Sequence, residues 1–305
     1  MNTKFFALAA LALSLAACTN DNEVMDNSPV AARINAEISN TVTTRASGTA
    51  WEDKDQIGVS TIAGTGTYYN NICYERNGSS FTATGENIYF QTPESVTFRA
   101  YYPFTGTPGE SAGVLTGVST GSENQTAENR PLIDFLYATG ATASTHNPEV
   151  NFTDDTDAGG TDCSFHHCMS QITLTFKEGS GVDFSTIQPT GYTLSGLMLT
   201  GSFDTTTGTA ETDDATAAQD LDMTLTNGAL TSSVILFPQT KASIGLSVYY
   251  NSQPYTATLT IPDGALKAGN NYTYTVTVRN KDLSISSATI SDWNPVNGGN
   301  VNADL

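Results

Sequence analysis

The side chain with the plainest chemistry is the thiol of Cys18. It follows Leu15-Ala16-Ala17, and Phe5 to Ala17 is apolar but for Ser14, with Lys4 supplying a positive charge ahead of the run. That is a lipobox. Residues 1–17 read as a signal peptide that is cut away, after which the Cys18 thiol takes a lipid and anchors the chain to a membrane. The apolar run is shorter than the roughly 20 residues a bilayer requires, so it is an export signal and not a span. A second chemistry is scission. Thr43-Thr44-Arg45-Ala46-Ser47-Gly48 is polar, small and glycine-ended, so a protease can reach its backbone, the Arg45–Ala46 bond included.

Other reactive residue types carry less. Beyond Cys18 the thiols are Cys73, Cys163 and Cys168, an odd number for an exported protein, so at most one internal pair forms. Cys163-Ser164-Phe165-His166-His167-Cys168 holds four metal-ligand types, but a strand would turn His166 and His167 to opposite faces and the spacing is not that of a zinc site. A Cys163–Cys168 disulfide or plain strand packing is the reading, with no metal. Asp154, Asp155 and Asp157 miss the calcium-loop spacing and suit an acidic surface loop. No G-x-S-x-G, H-E-x-x-H or P-loop occurs, and nothing calls for a cofactor or for catalysis.

The elements that must present Cys18 and Arg45 come next. Residues 19–30 are polar and acidic, with little to bury, and form a leash. From Ala32 to Val42 the pattern alternates: Ala32, Ile34, Ala36, Ile38 and Val42 fall on one face, and Arg33, Asn35, Glu37, Ser39 and Thr41 on the other. This is a half-buried strand placed just ahead of a cleavable arginine. Removing it would leave a groove of unpaired backbone groups that invites another strand.

Composition bounds the remainder. Asp and Glu number 31 against 12 Lys and Arg, a formal net charge of −19, which repels phosphate backbones and argues against nucleic acid. Helical periodicity is absent and short alternating runs recur between turn signals, so the class is all-β. Strands are expected at Tyr68–Glu75, Ser80–Thr84, Asn87–Phe90, Val96–Tyr102 and Asp134–Thr139. Gly106–Asn129 reads as a long loop with one short strand around Val114, Leu115 and Val118. Ser144–Asp162 reads as a loop and sets the boundary between an N-terminal domain, 46–160, and a C-terminal one, 161–305. In the latter, Ile172/Leu174/Phe176, Leu246/Val248/Tyr250, Tyr255/Ala257/Leu259/Ile261 and Tyr272/Tyr274/Val276/Val278 alternate. Val234-Ile235-Leu236-Phe237 is continuous, as in a strand buried on both faces.

Several landmarks in this order resemble the fimbrillin family of lipoprotein-derived (type V) pilus proteins. They are the lipobox cysteine, Thr44-Arg45-Ala46 before Trp51 and Asp55-Gln56-Ile57-Gly58, Ala100-Tyr101-Tyr102-Pro103, Phe165-His166-His167 before Ile172 and Leu174, and Gly269-Asn270-Asn271-Tyr272-Thr273-Tyr274 running on to Ile290 and Trp293. The resemblance implies two tandem transthyretin-like β-sandwiches and a cell-surface precursor lipidated at Cys18 and held in the outer membrane. It implies removal of the 18–45 propeptide, with its strand, by an Arg-specific protease, and filling of the groove by a strand from another pilus subunit. The donor would lie in the segment holding Val296, Val301 and Leu305. His167 takes the place of a strand histidine of the family, where packing is its role. The alternative is a surface glycan-binding lipoprotein using Tyr68-Tyr69, Tyr101-Tyr102 or Tyr249-Tyr250 as sugar platforms.

Overall fold

Alternation of apolar and polar side chains builds nearly all the regular structure in the computed structural model, which describes residues 29–39, 50–62, 66–226, 228–280 and 282–293. Cys18, Val42, Arg45, Ala46, Val296, Val301 and Leu305 lie outside the described residues. In chain order the first strands are β1 Val30–Ala31, β2 Arg33–Ala36, β3 Gln56–Thr61, β4 Ile72–Asn77, β5 Ser80–Ala83, β6 Tyr89–Phe90, β7 Val96–Tyr102, β8 Val114–Ser119, β9 Leu136–Ala143, β10 Glu149–Phe152 and β11 His166–His167. There follow β12 Ser170–Glu178, β13 Gly191–Leu197, β14 Thr200–Asp204, β15 Thr209–Thr212, β16 Gln219–Thr224, β17 Thr231–Leu236, β18 Gln239–Thr240, β19 Ser243–Tyr250, β20 Gln253–Thr260, β21 Ala265–Leu266, β22 Asn270–Val278, β23 Leu283–Ile285 and β24 Thr289–Asp292. The fold is all-β, and no helix among the described residues is long and apolar enough to cross a membrane.

The first unit is an eight-stranded sheet in the order β10-β2-β5-β4-β3-β7-β9-β11. The sheet curls until β10 meets β9, enclosing a core that includes Ile34, Val59, Phe81, Phe98, Phe152 and Phe165. The second unit is a sandwich. One sheet runs β17-β12-β22-β23, with β24 also on β22, and the other runs β16-β13-β19-β20. Their inner faces meet through residues such as Leu174, Tyr192, Leu246 and Tyr274.

A third apolar cluster fastens the two units together, drawing Tyr101, Ile133 and Phe135 from the first and Phe203, Ile235, Phe237 and Trp293 from the second. The expected short strand in Gly106–Asn129 is β8, and it leaves the first unit's sheet to pair with β14 in a three-stranded sheet. Val234 and Leu236 face the second unit's core while Ile235 and Phe237 face the junction, so this run is buried on both sides as its composition requires. Tyr101 and Tyr102 depart from the rule that adjacent strand residues divide between core and water. Both are buried, Tyr102 in the first core and Tyr101 against Phe203, because the second unit covers the outer face of β7.

The Tyr101 ring explains Gly58. A Cβ there would collide with that ring and with the Asn71 amide oxygen, so only hydrogen leaves the aromatic room to reach the junction. Two further departures bear on the site. Ser144–Asp162 is not all loop, since it contains β10, and Val150 and Phe152 are fully buried. Tyr68–Asn71 is not strand, the pairing beginning at Ile72.

Candidate functional site: the seat of the N-terminal strand

β2 shows its period in its burial. Ala32, Ile34, Ala36 and Ile38 are 3%, 2%, 8% and 5% exposed, while Arg33, Asn35 and Glu37 face water. The strand is internal to the sheet, parallel to β10 on one side and antiparallel to β5 on the other. The parallel register sets Arg33 opposite Glu149, Ile34 opposite Val150, Asn35 opposite Asn151 and Ala36 opposite Phe152. Across β5, Ile34 faces Phe81. Beyond β2 the pairing passes to Phe165, bridged to Ile38, so one segment touches both β10 and the approach to β11.

Backbone hydrogen bonds run from one end of the segment to the other. The N–H groups of Ala32, Arg33, Glu37 and Ser39 donate to the carbonyls of Ile88, Pro148, Phe152 and Phe165 at 2.8, 2.9, 2.9 and 2.7 Å, and Phe165 N–H donates to Glu37 O at 2.9 Å. On the wet face the Arg33 guanidinium meets Glu149 at 3.0 Å. The Asn35 amide donates to Glu149 at 3.1 Å and to Asn151 at 2.8 Å. Burial of each isoleucine contributes about 1.5–3 kcal/mol, whereas the exposed ion pair contributes at most about 1 kcal/mol. The apolar face therefore holds the strand, and the polar face sets its register.

Trp51 closes the seat from the other side of the Arg45 segment. Its indole N–H donates to Ala36 O at 3.0 Å, and its ring meets Phe81, Tyr102 and Phe165 edge-on with centroids 5.2, 5.5 and 5.0 Å away. Behind it lies a cavity of about 160 Å³, bordered by Ile38, Trp51, Asp55, Tyr102, Arg130 and Asp134. Asp55 accepts from Glu52 N–H at 2.7 Å and from the Tyr102 hydroxyl at 3.1 Å, yet burial holds its carboxyl above the ordinary carboxylate value. Burial also lifts the Tyr102 hydroxyl above its usual range and lowers Arg130.

The cysteine and histidine run is taken apart by the sheet. His166 is exposed and bound to Asp162 at 3.0 Å, while His167 is buried, its Nδ1 2.7 Å from Asp134. The His167 ring stacks on Trp293 with centroids 4.3 Å apart, joining two of the landmarks seen in the sequence, and its Nε2 is buried without a hydrogen-bond partner. The Cys163–Cys168 disulfide is not present. Both are buried free thiols, as is Cys73, with Cys163 in the first core and Cys168 in the junction. The two thiols do not pair because Cys163 packs into the first core and Cys168 into the junction, on either side of β11 in the chain. Burial pushes the Cys168 thiol up to about 12, which keeps it unreactive. Among the described residues no three His, Cys, Asp or Glu side chains come together to hold a metal ion.

A sequence profile described as fimbrillin-like matches residues 44–293, most of the chain. The chain belongs to the fimbrillin-like family. Among solved structures, a protein of Bacteroides ovatus described as a cell adhesion protein is 31% identical, with a TM-score of 0.72 over 87% of this chain and 98% of its own. A Bacteroides uniformis protein described in the same way shares the fold at 22% identity and a TM-score of 0.67, covering 87% and 99%. A fimbrial protein of Bacteroides vulgatus does so at 14% and 0.52, covering 86% and 99%. No curated protein matches the sequence. The fimbrillin-like match begins at residue 44, so β1 and β2 lie ahead of it while their seat lies within it.

The part of the site that the sequence left unread is the wall opposite β2: Phe81, Val150, Phe152 and Phe165. Val150 and Phe152 did carry a signal, since Glu149-Val150-Asn151-Phe152 alternates and its polar members complement Arg33 and Asn35. It is a four-residue pattern inside an acidic, glycine-bearing stretch, and the surrounding composition masked it.

Proposed function

We propose that this fimbrillin-like chain is a structural, non-enzymatic subunit or accessory protein of a cell-surface pilus that contributes to adhesion and assembles by exchange of its N-terminal strand. The precursor is lipidated at Cys18 and held in the outer membrane. An Arg-specific protease cuts after Arg45, β1 and β2 leave with the propeptide, and a strand from another subunit takes the vacated seat. The observation that supports this reading most is that β2 is paired on both sides inside the sheet, yet joins the rest of the chain only through residues 40–49.

Loss of that strand would strip partners from the carbonyls of Ile88, Pro148, Phe152 and Phe165 and from Phe165 N–H, and would open apolar positions under Ile34 and Ile38. Unpaired buried polar groups and exposed apolar surface both favour capture of a new strand. The glycan-platform alternative loses one of its three pairs, since Tyr101 and Tyr102 are both buried. Tyr68 and Tyr249 stand exposed one in each unit.

Intact mass and native gel migration of the mature protein, before and after limited digestion with an Arg-specific protease, test the proposal. Loss of mass through Arg45 followed by a detergent-resistant ladder is the expected result. A cut protein that stays monomeric would overturn strand exchange and leave a lipid-anchored adhesion protein.

A further inference from the structure

A charge drawn out of water needs a counter-ion, and one residue at the junction of the two units lacks it. Arg130 opens a short helical turn, Arg130–Leu132, in a segment of the first unit that lies against β17. Its Nη2 donates to Gln125 O at 2.8 Å, while its Nε is buried with no hydrogen-bond partner. Among the described residues no carboxylate forms an ion pair with it. Asp134, the acid whose charge reaches it, is already engaged by His167 Nδ1 at 2.7 Å. Loss of water works against the guanidinium charge by more than Tyr192 and Asp134 restore.

The arginine is nonetheless fixed in place. Gln125, itself buried, donates to Thr120 O and Ile235 O at 2.8 Å each and accepts from Ile235 N–H at 2.9 Å, which bolts the segment to β17. Its position is therefore set before any ligand arrives. Arg130 borders a groove of about 690 Å³ that runs between the units along β16 and β17, the edge strands of the second unit's two sheets. That volume lies within the usual range of small-molecule sites, about 300–1,000 Å³. The walls offer hydroxyls and acids: Thr226, Thr231, Ser232 and Asp222 on one side, Ser122 and Glu123 on the other. Ser232 bonds the Tyr192 hydroxyl at 2.8 Å, and Tyr192 lies within electrostatic reach of Arg130, so the serine and the arginine share one end of the groove.

Each wall excludes a class of ligand. An inorganic anion would neutralise Arg130 but bring its charge toward Glu123 and Asp222 with no hydrogen to offer them. A neutral sugar would serve the acids and hydroxyls and leave the guanidinium without a counter-ion. One carboxylate on a hydroxyl-rich frame meets both demands. A polyanion is disfavoured by the chain's net charge of −19, so a single acid group fits best. We propose that this groove binds a sugar acid, its carboxylate on Arg130 and its ring hydroxyls donating to Asp222 and Glu123. The site stands apart from strand exchange, since none of its residues belongs to β1, β2 or residues 40–49.

Isothermal titration of the full-length, uncut protein tests the proposal. Cellobiouronic acid, a glucuronic acid joined to glucose, should bind at least about tenfold more tightly than cellobiose, which differs only in lacking the carboxylate, and than sodium sulfate. Arg130→Met, which keeps the stem and removes the charge, should abolish that preference, and Arg130→Lys should recover part of it. Asp222→Ala, at an exposed position, should weaken the acid about threefold, and it locates the site should the Arg130 variants fail to fold. Equal binding of the acid and cellobiose would overturn the proposal. So would sulfate binding as tightly as the acid, no binding of the acid at millimolar concentration, or full affinity in folded Arg130→Met or Asp222→Ala. Every reading is taken on uncut protein, so a failure here leaves strand exchange untouched.

Discussion

Among the described residues each unit of the molecule contains one parallel strand pair among antiparallel neighbours, and the two pairs differ in length. In the second unit β12 and β22 run in register over eight residues each, Gln171–Glu178 against Asn271–Val278, and β22 also carries β23 and β24. In the first unit β2 and β10 share four positions, and β2 meets β5 at the single pair Ile34–Phe81. Both use an asparagine on the outer face to fix register, Asn35 donating to Asn151 at 2.8 Å and Asn271 accepting from Thr173 at 3.0 Å. Both strands bury their apolar faces, but one ladder is short and the other is long. On the strand-exchange reading, the element proposed to leave is marked by the brevity of its ladder and not by poor packing.

Four substitutions separate these regions. The largest effect falls on the cores: Leu174→Ala and Ile34→Ala should each lower the unfolding free energy by about 2–5 kcal/mol in the uncut protein. After cleavage at Arg45 and removal of the released peptide, urea unfolding should show the Leu174→Ala penalty unchanged and the Ile34→Ala penalty gone. An Ile34→Ala penalty that survives the cut would mean the strand had not left. Next come the outer faces, where Asn35→Ala and Thr173→Val should each cost about 0.5–1.5 kcal/mol. Only the first penalty should vanish in the cut form, again by urea titration.

The smallest effect concerns Asp55, whose counterpart is missing from the second pair. Burial raises its folded carboxyl above 3.8, so the folded state retains a proton that the unfolded state releases. That contribution is present at low pH and is lost as pH climbs through the raised value. Asp55→Asn should therefore gain on wild type as pH rises from 3.8, the smallest effect of the set because the carboxyl is only partly buried. Thermal midpoints of the two proteins at pH 3.5 and 7 give the comparison.

Period-two alternation made β2, β7 and β12 readable from residues alone, because in each a buried face alternates with a less buried one, in β7 as far as Tyr101. Val234–Phe237 was readable for the opposite reason, its apolar continuity requiring cover on both sides. What composition could not convey was which surface supplied the cover. The second unit buries Tyr101 and shelters the Cys168 thiol, so an aromatic pair and a cysteine pair that looked functional are packing residues. β10 stayed hidden because a four-residue strand among Asp, Thr and Gly has too few periods to stand out. Its match to β2 becomes visible only when the two are laid side by side.

The two-sided clamp on β2 also has a mechanical meaning. A strand hydrogen-bonded along one neighbour and packed on another, when pulled along its own length, strains all its contacts together in shear, whereas one peeled from an end gives way contact by contact. An occupant of this seat drawn in the direction of β10 would meet the first kind of resistance. Trp51, pinned to the Ala36 carbonyl at 3.0 Å, adds a catch at mid-strand. Tension applied along the line of the strand is thus shared by the whole interlock, and the same joint yields far more easily to a sideways tug at either tip.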